Sequence, residues 1–176
     1  ICIQYYKTST SDAFLKRAID SLRKQTYENW ELVITEDGLA SKNHNSAMKK
    51  ATGDLIKILH TDDCFSHNDS LQEVVNAFDK DTKWLITGCN NNLNPIYTGD
   101  IHLGNNKLGA PSVLTMRRDS FVEFDEQLVW LFDCDFYKRM YMKHGEPKIL
   151  NGNYITIGEG THQATNRIAQ SQKNQE

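Results

Sequence analysis

Three groups of acidic residues have the type and position to do chemistry. Glu36 and Asp37 follow the apolar run Trp30 to Thr35, Asp62 and Asp63 follow the run Leu55 to Leu59, and Asp133 and Asp135 open a stretch of helical pattern ending near His144. In open α/β sheets, ligands bind outside the carboxyl ends of the strands, and that is where the first two pairs fall. Two acidic pairs converging on one crevice repel each other unless a cation sits between them or a proton is retained. Mg²⁺ and Mn²⁺ take oxygen ligands, and Mg²⁺ is commonly held by one or two carboxylates with substrate phosphates completing its shell. Asp62 and Asp63 therefore read as a metal and diphosphate site. Asp is equally at home in turns and caps, and Asp37-Gly38 is an ordinary turn signal, so the plain reading stays open for both pairs. Asp133 and Asp135 suit either a helix cap or a general base, and a carboxylate at a helix N-terminus is held in its charged form.

The elements that must position these acids alternate in type. Ile1 to Tyr6 suits a buried strand, and a helix begins near Ser11 or Asp12 with Leu15, Ala18, Ile19 and Leu22 on one stripe. Trp30 to Thr35 is the next strand, a short helix spans about Asn45 to Ala51, and Leu55 to Leu59 is the third strand. Asn68 or Asp69 caps a helix with Leu71, Val74, Val75 and Phe78 at helical spacing, and Lys83 to Thr87 is the fourth strand. Strands alternating with amphipathic helices predict βαβ units and a mostly parallel central sheet. Gly88 to Pro111 is polar, Asn-rich and too long for an ordinary connection, which marks it as functional or mobile. Ser112 to Met116 reads as a strand, Asp133 to His144 as a helix stopped by Gly145 and Pro147, and Lys148 to Ile157 as extended. Residues 1–160 are expected to form a single domain and 161–176 a polar tail.

Composition narrows the function classes. The 176 residues carry 20 Lys plus Arg against 23 Asp plus Glu, a formal charge of −3, which is no electrostatic footprint for nucleic acid. A mean hydropathy of −0.60 and the lack of any run near 20 apolar residues disfavour a bilayer span. Cys2, Cys64, Cys89 and Cys134 are scattered without a CxxC pair, which argues against a zinc module or a disulfide scaffold and favours a reducing compartment. Ile1 stands in the middle of a strand pattern, so the N-terminus reads as trimmed. Neither GxGxxG nor GxxxxGK[ST] is present, so any phosphate must be held in another way.

Taken in order, several segments resemble one known family. Ala13-Phe14-Leu15-Lys16-Arg17-Ala18-Ile19-Asp20-Ser21-Leu22, Gln25-Thr26-Tyr27-Glu28-Asn29-Trp30-Glu31-Leu32-Val33-Ile34 and Glu36-Asp37-Gly38 resemble the opening of the family 2 glycosyltransferases, inverting enzymes of the GT-A fold. Asn45-Ser46-Ala47, Ala51-Thr52-Gly53-Asp54-Leu55-Ile56 and Leu59-His60-Thr61-Asp62-Asp63 are similar to that family's approach to its DxD motif. Phe132-Asp133-Cys134-Asp135-Phe136-Tyr137-Lys138-Arg139 is similar to its ED-containing helix start. The match runs in order from about Ile1 to Gly145.

The resemblance implies a GT-A-like, Rossmann-like three-layer α/β sandwich and transfer of a sugar from a nucleotide diphosphate donor, a UDP-sugar foremost, to a saccharide or glycolipid hydroxyl. It places Tyr6 against the nucleobase, Glu36 on the uracil ring, His44 where the family often has an Arg near the nucleotide, and Asp62 near the ribose and diphosphate. Asp63 then holds Mn²⁺ or Mg²⁺ with Asp62, and Asp133 is the catalytic base. On the acceptor side stand Trp130, Asp135 and Ser112, the last within the loop-like Gly109-Ala110-Pro111-Ser112. Trp130 and Leu131 serve equally as an apolar wall for a sugar or as core, and His162 as a metal or phosphate contact or as plain surface. The setting implied is the cytoplasm, at the inner face of a bacterial membrane in surface-polysaccharide assembly.

Two departures stand out. His60 replaces the usual first acid of the motif, which leaves metal binding to Asp62 and Asp63. Leu39 to Asn43 occupies a place where members usually have a further helix and strand, so the chain is either a minimal variant or lacks a segment there. Two other functions compete. A nucleotidyltransferase needs a Gly/Arg/Lys-rich loop near the first strand, which Tyr5-Tyr6-Lys7-Thr8-Ser9 does not resemble. A non-catalytic carbohydrate- or nucleotide-binding module derived from a transferase is the alternative that the two departures favour.

Overall fold

The structure is a computed structural model that describes residues 1–8, 10–160, 168–173 and 175–176. The chain runs β1 (Cys2–Gln4), α1 (Ser11–Arg23), β2 (Val33–Thr35), α2 (Ala40–Lys50), β3 (Leu55–Lys57), β4 (Cys64–Phe65), α3 (Ser70–Ala77) and β5 (Trp84–Cys89). It continues with β6 (Leu114–Arg117), α4 (Phe132–His144), β7 (Lys148–Thr156) and a single turn α5 (Gln170–Lys173). Three short 3-10 turns, Ile101–Leu103, Pro111–Val113 and Arg118–Ser120, punctuate the second half.

The α/β layering agrees with the expected fold class, with one correction: the sheet is mixed. β1 and β2 pair in parallel, whereas the five-stranded sheet, in the order β3-β6-β5-β7-β4, has only the β5/β7 pair parallel. A parallel bridge between Cys2 and Ile58 and the bond from Leu59 N–H to Cys2 O at 3.0 Å stitch the two sheets together. Antiparallel pairing arises because β6 returns beside β5 after a long loop rather than through a crossover helix, and so runs the other way. β5 is buried along its whole length between β6 and β7.

One continuous apolar cluster holds the layers. α1 contributes Ala18 and Leu22, both fully buried, from the stripe that its sequence pattern set out. Phe136, Tyr137 and Met140 of α4 pack into the same cluster, with Phe136 stacked on Phe124 at 4.1 Å between ring centroids. α2 is different, because its buried face includes Ser41, Asn43, His44 and Asn45. Each finds a partner: Ser41 Oγ donates to Leu128 O at 2.8 Å, Asn43 Nδ2 to Tyr5 O at 3.1 Å, and Asn45 exchanges two hydrogen bonds with the Phe124 backbone, at 2.9 and 2.7 Å. These hydrogen bonds hold one register between α2 and its surroundings, since any slip would leave further polar groups desolvated and unpaired.

The long segment 88–111 is pinned in place. Ile101 and Leu108 are fully buried, and Ile96 N–H donates to Lys107 O at 3.2 Å. None of the described helices is long and apolar enough to cross a membrane.

Candidate functional site

The turn after β3 carries the densest chemistry. Asp63 N–H donates to His60 O at 3.1 Å and His60 N–H donates to Ser112 Oγ at 2.8 Å, so the turn is closed on itself and tied to the segment leading into β6. His60, Asp62 and Asp63 thereby present one ligand atom each, all within 4.8 Å of one another. Asp63 is 2% exposed. Its Oδ1 accepts from Gly158 N–H at 2.8 Å, whereas its Oδ2 is buried without a hydrogen bond. Burial pushes the Asp63 carboxyl above the usual carboxylate range, with the His60 ring opposing it. A buried carboxylate oxygen left without a donor is costly unless something else meets it. An oxygen-preferring divalent cation fits that donor set, with Asp62 and Asp63 as carboxylate ligands.

Gly158 makes this packing feasible. A Cβ at that position would lie 2.3 Å from the Asp62 carbonyl oxygen, so only glycine lets the strand exit from β7 reach the Asp63 carboxylate.

His44 lies behind this turn. Its ring is wedged against Phe124 and Phe132, at 4.7 and 5.6 Å between centroids, and burial pushes its pKa down to about 3. The ring is therefore neutral. Nδ1 lies 2.6 Å from Ala40 O and Nε2 3.1 Å from His60 Nε2.

Asp133 sits in the first turn of α4. Its Oδ1 accepts from Cys134 N–H at 2.8 Å, and its Oδ2 accepts from Asn106 Nδ2 at 2.9 Å. Asn106 is locked in turn, because its Oδ1 accepts from the Leu108 and Gly109 amides, both at 3.0 Å. Burial raises the Asp133 pKa above the usual range despite those donors. The helix terminus alone would have made it a modest base; desolvation outweighs that effect.

These groups line one cavity of about 670 Å³. Tyr6, His44, Asp62, Asp63, Trp130 and Asp133 all border it, together with His60 and Asn106. Phe14, Leu39, Pro111 and Phe132 supply apolar wall, and Gln4 Oε1 adds a second buried polar atom without a partner. Three expected site residues lie elsewhere. Glu36 is exposed and does not border the cavity. Ser112 is fully buried and acts from beneath, through His60 N–H. Asp135 points to Arg139 one turn on, whose Nε donates to it at 2.8 Å. His162 lies outside the described residues.

Residues that the sequence pattern did not single out as ligands or supports are His60, Asn106 and Gly158. Of the expected polar tail, Ile168 borders the cavity, Lys173 Nζ stands 4.4 Å from the Trp130 ring centroid, and the Glu176 side chain accepts from the Val129, Trp130 and Leu131 amides at 3.0, 2.8 and 2.9 Å.

No family model matches the sequence, and no curated protein matches it. Among solved structures, S. aureus TarS 1-349 superposes with a TM-score of 0.70 at 15% identity, covering 89% of this chain and 59% of that one. The same protein in complex with UDP-GlcNAc gives 0.69 at 14% identity, over 96% of this chain and 60% of that one. The mannosyltransferase PcManGT from Pyrobaculum calidifontis, in complex with GDP-Man and Mn²⁺, gives 0.64 at 11% identity, over 92% and 56%. The fold is thus shared with these proteins, and the chain spans about three-fifths of the length of each.

Proposed function

We propose that this chain is an inverting, metal-dependent glycosyltransferase unit that moves a sugar from a nucleotide diphosphate sugar, a UDP-sugar foremost, to a hydroxyl of a saccharide or glycolipid. The observation that carries the reading is that a cation donor set and a carboxylate oriented by Asn106 share one cavity. Structures of the same fold hold UDP-GlcNAc or GDP-Man with Mn²⁺, which supports a nucleotide-sugar donor here.

The division of labour follows from the residues. Asp133 takes the proton from the acceptor hydroxyl as its oxygen attacks C1 and the bond from C1 to the diphosphate oxygen breaks; the proton ends on the carboxylate. Its raised pKa makes it a stronger base than an exposed Asp. Asn106 fixes the orientation of that carboxylate. Asp62 and Asp63 hold Mn²⁺ or Mg²⁺, which when bound supplies positive charge to the departing nucleoside diphosphate. Tyr6 and the apolar wall offer a base-stacking surface, and Trp130 a face for the acceptor sugar. The position we assign is the cytoplasmic face of a membrane, in polysaccharide assembly.

The test is a calorimetric titration of UDP with and without Mn²⁺. Binding should require the metal and should be lost in Asp63→Asn. Binding that ignores the metal and survives that substitution would overturn the site.

A further inference from the structure

The pair of histidines behind the acidic turn fixes which atom the site offers to a metal. Ala40 O is an acceptor only, so His44 Nδ1, 2.6 Å away, carries the hydrogen. A ring that carries its hydrogen on Nδ1 has its lone pair at Nε2. That nitrogen faces His60 Nε2 at 3.1 Å, and a hydrogen bond between them requires the His60 nitrogen to donate. His60 in its neutral form is left with its lone pair on Nδ1. The backbone is held as firmly as the ring, through His60 N–H on Ser112 Oγ.

A metal-binding imidazole characteristically donates its other N–H to a fixed partner, which sets the tautomer and aims the ring. Here the chain Ala40 O, His44, His60 does this beside Asp62 and Asp63, whose ligand atoms lie within 4.8 Å of that of His60. The buried Asp63 Oδ2 without a hydrogen bond belongs to the same cluster and is an acceptor that a cation would satisfy.

We propose that His60 Nδ1 is a third metal ligand, that His44 is its positioning residue, and that this nitrogen makes the site prefer Mn²⁺, Co²⁺ or Zn²⁺ over Mg²⁺ and Ca²⁺. Imidazole suits the transition ions, whereas Mg²⁺ and Ca²⁺ favour an all-oxygen shell. The inference rests on the reading of the Asp62–Asp63 turn as a metal site, and it turns the missing acid of the motif into a selector of the ion.

Mn²⁺ binding to the full chain is measured by electron paramagnetic resonance, with and without UDP, and Mg²⁺ is then used as competitor. The wild-type Mn²⁺ complex should show imidazole nitrogen coupling. His60→Asp should still bind Mn²⁺, lose the coupling, and lower the Mn²⁺ over Mg²⁺ preference at least about tenfold. His44→Leu should weaken Mn²⁺ binding by about ten- to a hundredfold, and His44→Gln, which keeps an acceptor for the His60 N–H, should restore most of it. A wild-type complex without nitrogen coupling, a preference unchanged in His60→Asp, or no Mn²⁺ binding in either condition would overturn the assignment. Nitrogen-coupled Mn²⁺ without any UDP binding would leave it standing and remove the proposed function, while metal-dependent UDP binding without nitrogen coupling would do the reverse.

Discussion

Asn106 donates its side-chain amide to Asp133 Oδ2 at 2.9 Å while the Leu108 and Gly109 amides hold its own carbonyl oxygen, both at 3.0 Å. The carboxylate at the start of α4 is therefore aimed by a loop 27 residues away.

That arrangement predicts a pH effect. A donor to the charged carboxylate lowers its pKa, so removing it raises a pKa that burial has already lifted. As the proposed base, Asp133 works only when deprotonated, so activity should fall as pH drops through that pKa. In Asn106→Ala the acidic limb of the kcat profile should move to higher pH, with kcat reduced and donor affinity little changed. A limb that stays in place would contradict the coupling.

Asp133→Asn should bind UDP as well as the wild type but lose about 10²- to 10⁴-fold in transfer rate, the usual contribution of a general base. Single-turnover transfer with saturating donor separates the two effects.

Gly158→Ala places a Cβ 2.3 Å from a backbone carbonyl that cannot swing away like a side chain. The strand exit or the Asp62–Asp63 turn must shift, at a cost of about 1–3 kcal/mol. Thermal denaturation should show lower stability, and Mn²⁺ affinity should fall with it.

Lys57 is buried under the site, donating to Ser112 O and, at 3.4 Å, to Leu114 O, and burial pushes its pKa down to about 7 from 10.5. Between those values the unfolded chain binds the proton and the folded chain does not, so the penalty of this lysine is full below pH 7 and fades as pH rises toward 10.5. Lys57→Met removes that slope. Its Tm relative to wild type should be higher at pH 6 than at pH 9.

Tyr6→Ala should weaken UDP binding by roughly tenfold, within the ~1–3 kcal/mol typical of base stacking, whereas Glu36→Gln, outside the cavity, should leave it unchanged. Loss of affinity in the second variant would place the uracil beside Glu36, outside the cavity.

The pairs Glu36-Asp37 and Asp62-Asp63 were readable in the sequence because each follows a run of apolar residues, and a strand end in an α/β sheet is a place where ligands gather. The α1 stripe and the start of α4 were equally plain. The span 40–44, which extends the expected helix at its N-terminal end, was not readable as helix, because the buried face there is polar, with Ser41 and Asn43 held by hydrogen bonds to Leu128 and Tyr5 that periodicity cannot display. His60 was read as a lost acid, since its bond to His44 exists only once α2 packs behind the turn. Asn106 lay in a polar loop with no periodicity, and the antiparallel entry of β6 depends on where that loop returns.

The bond from Gly158 N–H to Asp63 Oδ1 joins residues 95 apart in the chain. A closure of this length carries a large loop-closure entropy, which the pairing of the intervening strands must offset. Ion binding at the proposed site is thereby tied to the seating of β7: with β7 unpaired, Asp63 lacks its Gly158 partner and faces water as an ordinary surface acid. The cation would then add its binding energy to the folded form alone, drawing the folding equilibrium toward it.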